Sequence, residues 1–538
     1  MRISTLLIGA LLSSATPAFA GWKVAESEHF ILYSEAEEAD VRANVEKLEK
    51  FDHIVRAFSQ TKKPHAKLKL KVYQVRDLDA VAATLPYPTF GVGGYYTTSI
   101  RGPFLVATRR VERQPATRRT VVQNVYGWAP DVLQHEYIHH FTFQYFPATY
   151  PSWYTEGFAE YYGTIQFVDD KTIEFGHAPL GRVDTIKGDW LPMRKMLTAK
   201  NYDDVGDQLG SLYAQGWLLT HYASHNSVRG KQLNDYLLAI TKGKDYKTAA
   251  EESFGSDLDL LDSELKAYVK NLKALRLSLK PINVGPITTR NLTDPEVTLL
   301  RADISLNSGL RRADLPQFTQ MVADASDKMK SDENAQEIRL ETEMIAGRTE
   351  NAKSTIANLK AINPKNGIAV YFDAEMQVDE LKKSGNTDAK KWDAVRELIY
   401  TANELRPNTP RILEGLFDSF KKQGAALPPE DAQNALMQAH LLLPSDSGLR
   451  FKLAHDFEAR GLYPEAIFMI SPLAFGSHED NKNDKDKQRK EQEKFADKFT
   501  NFTVQESPHE MLKRLEAKLA KPDVKDDASD KVAVNTAG

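Results

Sequence analysis

Apolar positions change their spacing several times along this chain, and each change marks a predicted element. His29-Phe30-Ile31-Leu32-Tyr33 reads as a strand, and Ala36 to Ser59 carries apolar residues at helical spacing. Lys67-Leu68-Lys69-Leu70-Lys71-Val72-Tyr73 alternates polar with larger side chains, the pattern of a half-buried strand. A stretch punctuated by Gly and Pro follows, and Gly94-Tyr95-Tyr96-Thr97 and Phe104-Leu105-Val106-Ala107 predict two more strands. From about residue 118 to 275 the pattern is mainly helical and ends near a helix over Leu258 to Leu277. Residues 21–280 therefore predict one α+β domain, mostly β over 21–115 and mostly α over 116–280.

Lys280-Pro281-Ile282-Asn283-Val284-Gly285-Pro286 interrupts this pattern and is the best linker candidate. Beyond it, residues 290–475 read as helical pairs joined by short turns. Pro364, Pro407 and Pro444 each follow one apolar helical stretch and start the next, at spacings of 43 and 37 residues. Stacked helical pairs form a solenoid, whose surface suits a peptide or protein partner. Residues 476–538 predict a charged helix or linker and then a disordered tail. His478 to Gln492 holds both charges and no apolar residue, and the tail begins at Lys521.

Composition narrows the function classes. The absence of Cys excludes disulfides, thiolate zinc sites and cysteine nucleophiles. Lys and Arg number 70 against 74 Asp and Glu, a net charge of −4, and the two signs are mixed, so no nucleic-acid partner is expected. The chain opens Met1-Arg2-Ile3-Ser4, continues with an apolar run to Leu12 and reaches Ala18-Phe19-Ala20. A positive start, a short apolar core and an A-x-A site predict a secretory signal peptide over 1–20, cleaved after Ala20. The run is too short to span a bilayer and no later stretch approaches spanning length. The mature protein is expected in a periplasm or outside the cell, with no membrane span.

The chemistry concentrates in His135-Glu136-Tyr137-Ile138-His139, which spells H-E-x-x-H in a stretch free of Gly and Pro. Residues four apart share a helix face, so both imidazoles can reach one zinc ion and Glu136 can reach a water beside it. Pro147 and Pro151 then end that helix, and Ser152 to Tyr162 predicts a second one. Glu156 and Glu160 share a face there: one carboxylate can complete a His, His, Glu metal site, and the other can orient a ligand imidazole.

These residues, followed by Trp153-Tyr154-Thr155-Glu156-Gly157-Phe158-Ala159-Glu160-Tyr161, resemble the gluzincin zinc metallopeptidases. The resemblance covers roughly residues 21 to 280. It implies a zincin-like α+β catalytic fold, with Zn2+ on His135, His139 and Glu156 and Glu136 as general base. It makes Glu160 the partner of a ligand histidine. Leu212-Tyr213-Ala214-Gln215-Gly216-Trp217 resembles the Y-x-x-G helix of the aminopeptidase-like members, which gives Tyr213 the donor role toward the developing oxyanion. His221 lies eight residues further on and can approach the same site, whereas His140 points elsewhere. The aminopeptidases' G-x-M-E-N segment has no counterpart: Phe90 to Thr97 contains no acidic residue, so an endopeptidase is expected rather than amino-terminal trimming. An extended peptide substrate would pair with an edge strand near residues 94–107. Ala432 to Leu442, Pro444-Ser445-Asp446, Leu449 to Phe457, Gly461 and Ala466-Ile467 resemble tetratricopeptide repeats, at a longer and irregular period.

Two functions follow as expectations. One is an exported zinc peptidase, hydrolysing peptide bonds of a peptide or protein substrate and carrying a repeat domain for capture. The other is a catalytically silent relative that acts as a periplasmic binding or scaffold protein, taking a protein partner on its repeats.

Overall fold

A sheet whose middle strands are covered on both faces organises the amino-terminal half. The computed structural model describes residues 21–86, 91–109, 128–179, 182–200, 202–475 and 506–520. The expected signal peptide, the charged stretch from His478 and the tail from Lys521 lie outside them. The first elements are β1 (Lys23–Glu26), β2 (Phe30–Ser34), α1 (Glu38–Ser59), β3 (Leu70–Val75), α2 (Leu78–Ala82), β4 (Gly94–Ser99) and β5 (Gly102–Thr108). Next come α3 (Trp128–Tyr145), α4 (Ser152–Gly163), β6 (Gln166–Asp169) and β7 (Thr172–Phe175). Six helices follow: α5 (Val183–Gly188), α6 (Met193–Thr198), α7 (Leu209–His225), α8 (Ser227–Thr241), α9 (Tyr246–Phe254) and α10 (Leu258–Tyr268). Strands β8 (Leu275–Ser278) and β9 (Thr288–Asn291) close this half.

The main sheet has the order β4-β5-β3-β2-β1-β9, and a small one has the order β6-β7-β8. Strand β3 is parallel to β2 and to β5, while β4 runs antiparallel at the edge. Helix α1 forms because Val41, Val45, Leu48, Phe51 and Val55 recur at helical spacing, and that stripe is buried under the sheet with α3. The expected helix to Leu277 stops at Tyr268 instead. Leu275, Leu277 and Leu279 alternate with polar residues, and the stretch pairs with β7 as a strand, Leu277 opposite Ile173.

The 290–475 boundary also needs correction. Strand β9 pairs with β1 across the Pro-rich segment, so the chain returns to the sheet after residue 287. Helix α11 (Asp294–Ser308) then covers the sheet's other face. Its Leu300 and Ile304 pack with Trp22, Tyr73, Val75, Phe104 and Val106. The alternation over 67–73 therefore belongs to a strand buried on both sides. Its lysine at 71 is neutralised: Lys71 Nζ donates to Asp303 Oδ2 of α11 at 2.9 Å, and the buried Tyr73 hydroxyl donates to the same oxygen at 2.5 Å. Burial alone raises the Asp303 pKa, but Lys71 and Arg101 hold its carboxyl well below the usual carboxylate range.

From α11 onward the chain is a series of helical pairs. Helix α11 packs with α12 (Leu315–Ser326), α13 (Glu333–Ile345) with α14 (Thr349–Ile362), and α15 (Gly367–Lys383) with α16 (Ala389–Leu405). Helix α17 (Pro410–Gln423) pairs with α18 (Glu430–Leu442), and α19 (Ser447–Ala459) with α20 (Tyr463–Phe475), which α21 (Pro508–Leu519) covers. The side chains of Asp332, Asn366 and Asp446 accept from backbone N–H groups of the turns they open, which fixes three of these starts. Four first helices begin at 333, 367, 410 and 447, so the interval varies from 34 to 43 residues. The longest interval holds the two 17-residue helices α15 and α16.

The repeats are docked on the β4–β5 hairpin. Arg101 at its tip pairs with Asp303 and with Glu341 of α13, and Glu341 in turn pairs with Arg411 of α17. Ile100 and Leu68 pack against the repeat core. Among the described residues no helix is long and apolar enough to cross a membrane.

Helices α4 and α7 cross so closely that neither tolerates a side chain at the contact. A Cβ on Gly157 would stand 2.2 Å from the Gly216 carbonyl carbon, and one on Gly216 would stand 2.4 Å from the Trp153 carbonyl oxygen. The obstacle is helical backbone, which cannot swing aside. Gly157→Ala and Gly216→Ala are each expected to destabilise the protein by about 1–3 kcal/mol in urea unfolding. Gly188→Ala, whose Cβ meets nothing within 4 Å, is the control and should stay within about 0.5 kcal/mol of the parent.

Candidate metal centre

Helix α3 divides its residues cleanly. Tyr137, Ile138 and Phe141 enter the core with α1 and the sheet, which turns His135, Glu136 and His139 toward α4, α7 and the edge strand β4. Helix α4 then brings Glu156, 1% exposed, against the histidine pair. His135 Nε2 lies 3.1 Å from His139 Nε2 and 3.2 Å from Glu156 Oε2, and His139 Nε2 lies 3.7 Å from the same oxygen. Ligands about 2.0–2.1 Å from a shared zinc, at tetrahedral angles, stand about 3.3–3.4 Å apart. The three edges bracket that value. One proton at most can lie between two facing imidazole nitrogens, whereas one cation satisfies all three atoms. These residues fit zinc.

Electrostatics agree with the geometry. Burial lowers the His135 pKa, but the Glu156 contact and the charges of Glu136, Glu156 and Glu160 overcome it and push the imidazole up to about 9. The pocket thus favours positive charge at this point. His140, the neighbour on α3, has the opposite character: buried against Tyr96 and Tyr137, it is pushed down to about 3 and stays neutral.

Glu136 sits between the histidines and the sheet edge. A Cβ added to Gly94 of β4 would meet Val132 at 2.8 Å and Glu136 Cγ at 3.1 Å, so only glycine lets the strand pass this close. Thr108 N donates to Gly93 O at 2.8 Å, so alternate residues onward, Tyr95 and Thr97, face β5 with their backbone groups. The N–H and C=O groups of Gly94, Tyr96 and Thr98 face the outer edge of the sheet. Among the described residues no strand pairs with them.

Tyr213 on α7 also reaches the site. Its phenol is raised well above its ordinary pKa, first by burial and then by the charge of Glu156, with Glu136 and Glu160 adding to it. The guanidinium of Arg182 lies 4.7 Å from its ring centroid. Among the described residues, no hydrogen bond engages the Tyr213 hydroxyl. Glu160 Oε1 stands 3.9 Å from His135 Nδ1, longer than a hydrogen bond, and accepts from Arg182 Nε at 3.1 Å and Nη2 at 2.9 Å. Its direct partner is therefore the arginine. His221 does not join the site: its Nε2 is 3.0 Å from Gly176 O and its Nδ1 2.8 Å from the Tyr268 hydroxyl.

Two neighbours of the site escape a reading of the sequence. Tyr202 donates its hydroxyl to Glu156 Oε1 at 2.8 Å, and Arg182 links Glu160 to Tyr213. Tyr202 lies in Asn201-Tyr202-Asp203-Asp204 and Arg182 in a loop, with no periodicity or motif to single them out.

No family model matches this chain, and no curated protein matches it. Similar solved structures include a thermophilic tetratricopeptide-repeat protein of Thermus thermophilus, at 15% identity over 38% of this chain and 93% of that one, with a TM-score of 0.26. PilW, a type IV pilus biogenesis factor, is 15% identical over 42% of this chain and 93% of its own, with a TM-score of 0.27. A tetratricopeptide-repeat protein from Parabacteroides merdae is 15% identical over 55% of this chain and 99% of its own, with a TM-score of 0.25. This chain carries a helical-repeat region of tetratricopeptide-like character, as its stacked helical pairs attest, after a region that holds both sheets.

The fit of the three ligand atoms predicts that saturating zinc raises the melting temperature of the full chain. At a thousandfold excess over Kd the gain is about 4 kcal/mol. Glu156→Ala is expected to remove that rise, and a melt with and without zinc checks it.

Proposed function

We propose that this chain is a zinc-dependent peptidase that cleaves an extended segment of a peptide or protein laid along β4. The observation that carries the reading is the convergence of His135, His139 and Glu156 at tetrahedral spacing beside Glu136 and an open strand edge. When bound, zinc supplies Lewis acidity, polarising a carbonyl and acidifying a water.

The chain's own groups do the rest. The N–H and C=O groups of Gly94, Tyr96 and Thr98 bind the substrate backbone as an added strand, and glycine at 94 lets β4 itself lie close to Glu136. The Glu136 carboxylate takes a proton from the attacking water as its oxygen bonds to the scissile carbon. It then delivers that proton to the leaving nitrogen as the C–N bond breaks. Tyr213 donates its hydroxyl to the carbonyl oxygen as negative charge develops there. Residues Gly91 to Thr97 offer no carboxylate for a substrate amino terminus, which favours internal cleavage. The same reading exports the chain, with residues 1–20 as its signal.

A second reading keeps the repeats and drops the chemistry: a scaffold that holds a protein partner on its helical pairs. The tetratricopeptide-like character of the region from α11 to α20 supports it.

Full-length mature protein, offered a mixed peptide library beside its Glu136→Gln variant, separates the two. The peptidase reading expects cleavage by the parent and its loss in the variant, with zinc retained in both. Zinc binding without cleavage of any peptide favours the scaffold. Tyr213→Phe is expected to lower kcat about 100-fold or more with KM little changed, in steady-state assays on the best library peptide.

A further inference from the structure

We infer that Tyr202 is a positioning residue of the metal centre, its hydroxyl fixing the Glu156 carboxylate so that Oε2 stays on the histidine pair. The inference rests on the zinc reading above and goes beyond it, because neither the motif nor the resemblance involves this tyrosine. Glu156 is 1% exposed, so water is excluded from completing its hydrogen bonds. Its Oε2 faces both imidazoles, which leaves Oε1 on the far side of the carboxylate. A carboxylate on a three-bond side chain can exchange its two oxygens by rotation unless one of them is fixed. The Tyr202 hydroxyl, donating to Oε1 at 2.8 Å, removes that freedom.

The tyrosine is itself fixed by an element separate from both metal-site helices. It begins the Tyr202–Gln208 turn between α6 and α7. Lys195 Nζ donates to Val205 O at 3.2 Å, Lys200 N donates to Asp204 Oδ2 at 2.8 Å, and Val205 is 1% exposed. A turn anchored this way holds the hydroxyl in place before any metal arrives. Groups that orient metal ligands typically change metal affinity by about 10–100-fold when removed.

The test measures zinc alone, by competition with a chelator, on the full-length protein and its Tyr202→Phe variant, which keeps the ring and loses only the hydroxyl. Melting of both proteins in the metal-free state accompanies it. Tyr268→Phe serves as control, since that hydroxyl holds His221 outside the site. The expected result is zinc binding about 10–100-fold weaker in Tyr202→Phe, with its metal-free melting temperature and the control's affinity unchanged. Equal affinity in parent and Tyr202→Phe overturns the inference while leaving the zinc reading intact. Weaker binding together with a collapse of the metal-free melting temperature also overturns it, by making the tyrosine merely structural. A parent that fails to bind zinc removes the reading on which the inference stands.

Discussion

Two glycines set the distance at which α4 and α7 pass, and the site depends on that distance. Gly157 follows Glu156 directly, and Gly216 lies three residues after Tyr213, so the contact fixes a carboxylate on one helix and a phenol on the other. Trp153 and Trp217, both fully buried, lie on these same two helices and enclose the crossing in apolar surface. A methyl group at either glycine would have to force two rigid helical backbones apart. The energetics of packing and the geometry of the candidate metal centre are therefore one constraint, expressed at backbone positions that carry no side chain.

The sheet supplies a second constraint of the same kind. Gly94 lets the edge strand lie against Glu136 on α3, while the interior strand β3 is clamped between α1 and α11. Asp303, itself buried, neutralises the half-buried Lys71 and Arg101, and its carboxylate remains charged because both cations face it. A buried ionic cluster of this kind adds little net stability, since desolvation offsets the attraction. Here it ties the tip of the β4–β5 hairpin to the first two helical pairs.

Much of this is legible in the sequence, for physical reasons that can be named. The H-E-x-x-H spacing and the prolines after it describe local geometry, and His135, Glu136, His139 and Glu156 meet because two short helices and one turn decide the matter. The strands at 30–34 and 94–108 follow from alternation and from glycine punctuation. What resists is long-range. Nothing local tells that Thr288–Asn291 crosses back to pair with β1, because that pairing is chosen by the far strand. The alternation of lysines before Tyr73 gives no hint that a second layer buries Lys71, since its neutralising partner lies 232 residues away. Tyr202 and Arg182 are invisible for the same reason: each acts through its side-chain tip on a carboxylate far along the chain. The end of the helix at Tyr268 is misjudged because Leu272, Leu275 and Leu279, three and four apart, continue a helical stripe on paper.

The return of β9 and α11 to the sheet bears on how such a chain can be divided. The Pro-rich stretch before residue 288 looks like a tether between two modules, yet the elements just beyond it complete the first one. A cut there would bare Tyr73, Val75, Phe104 and Val106 on one fragment and the inner face of α11 on the other. The first helical pair is shared property, the last layer of the sheet and the opening unit of the solenoid at once. Neither half is self-contained: the boundary between the sheet-containing region and the repeat array runs through this helix rather than through the Pro-rich stretch.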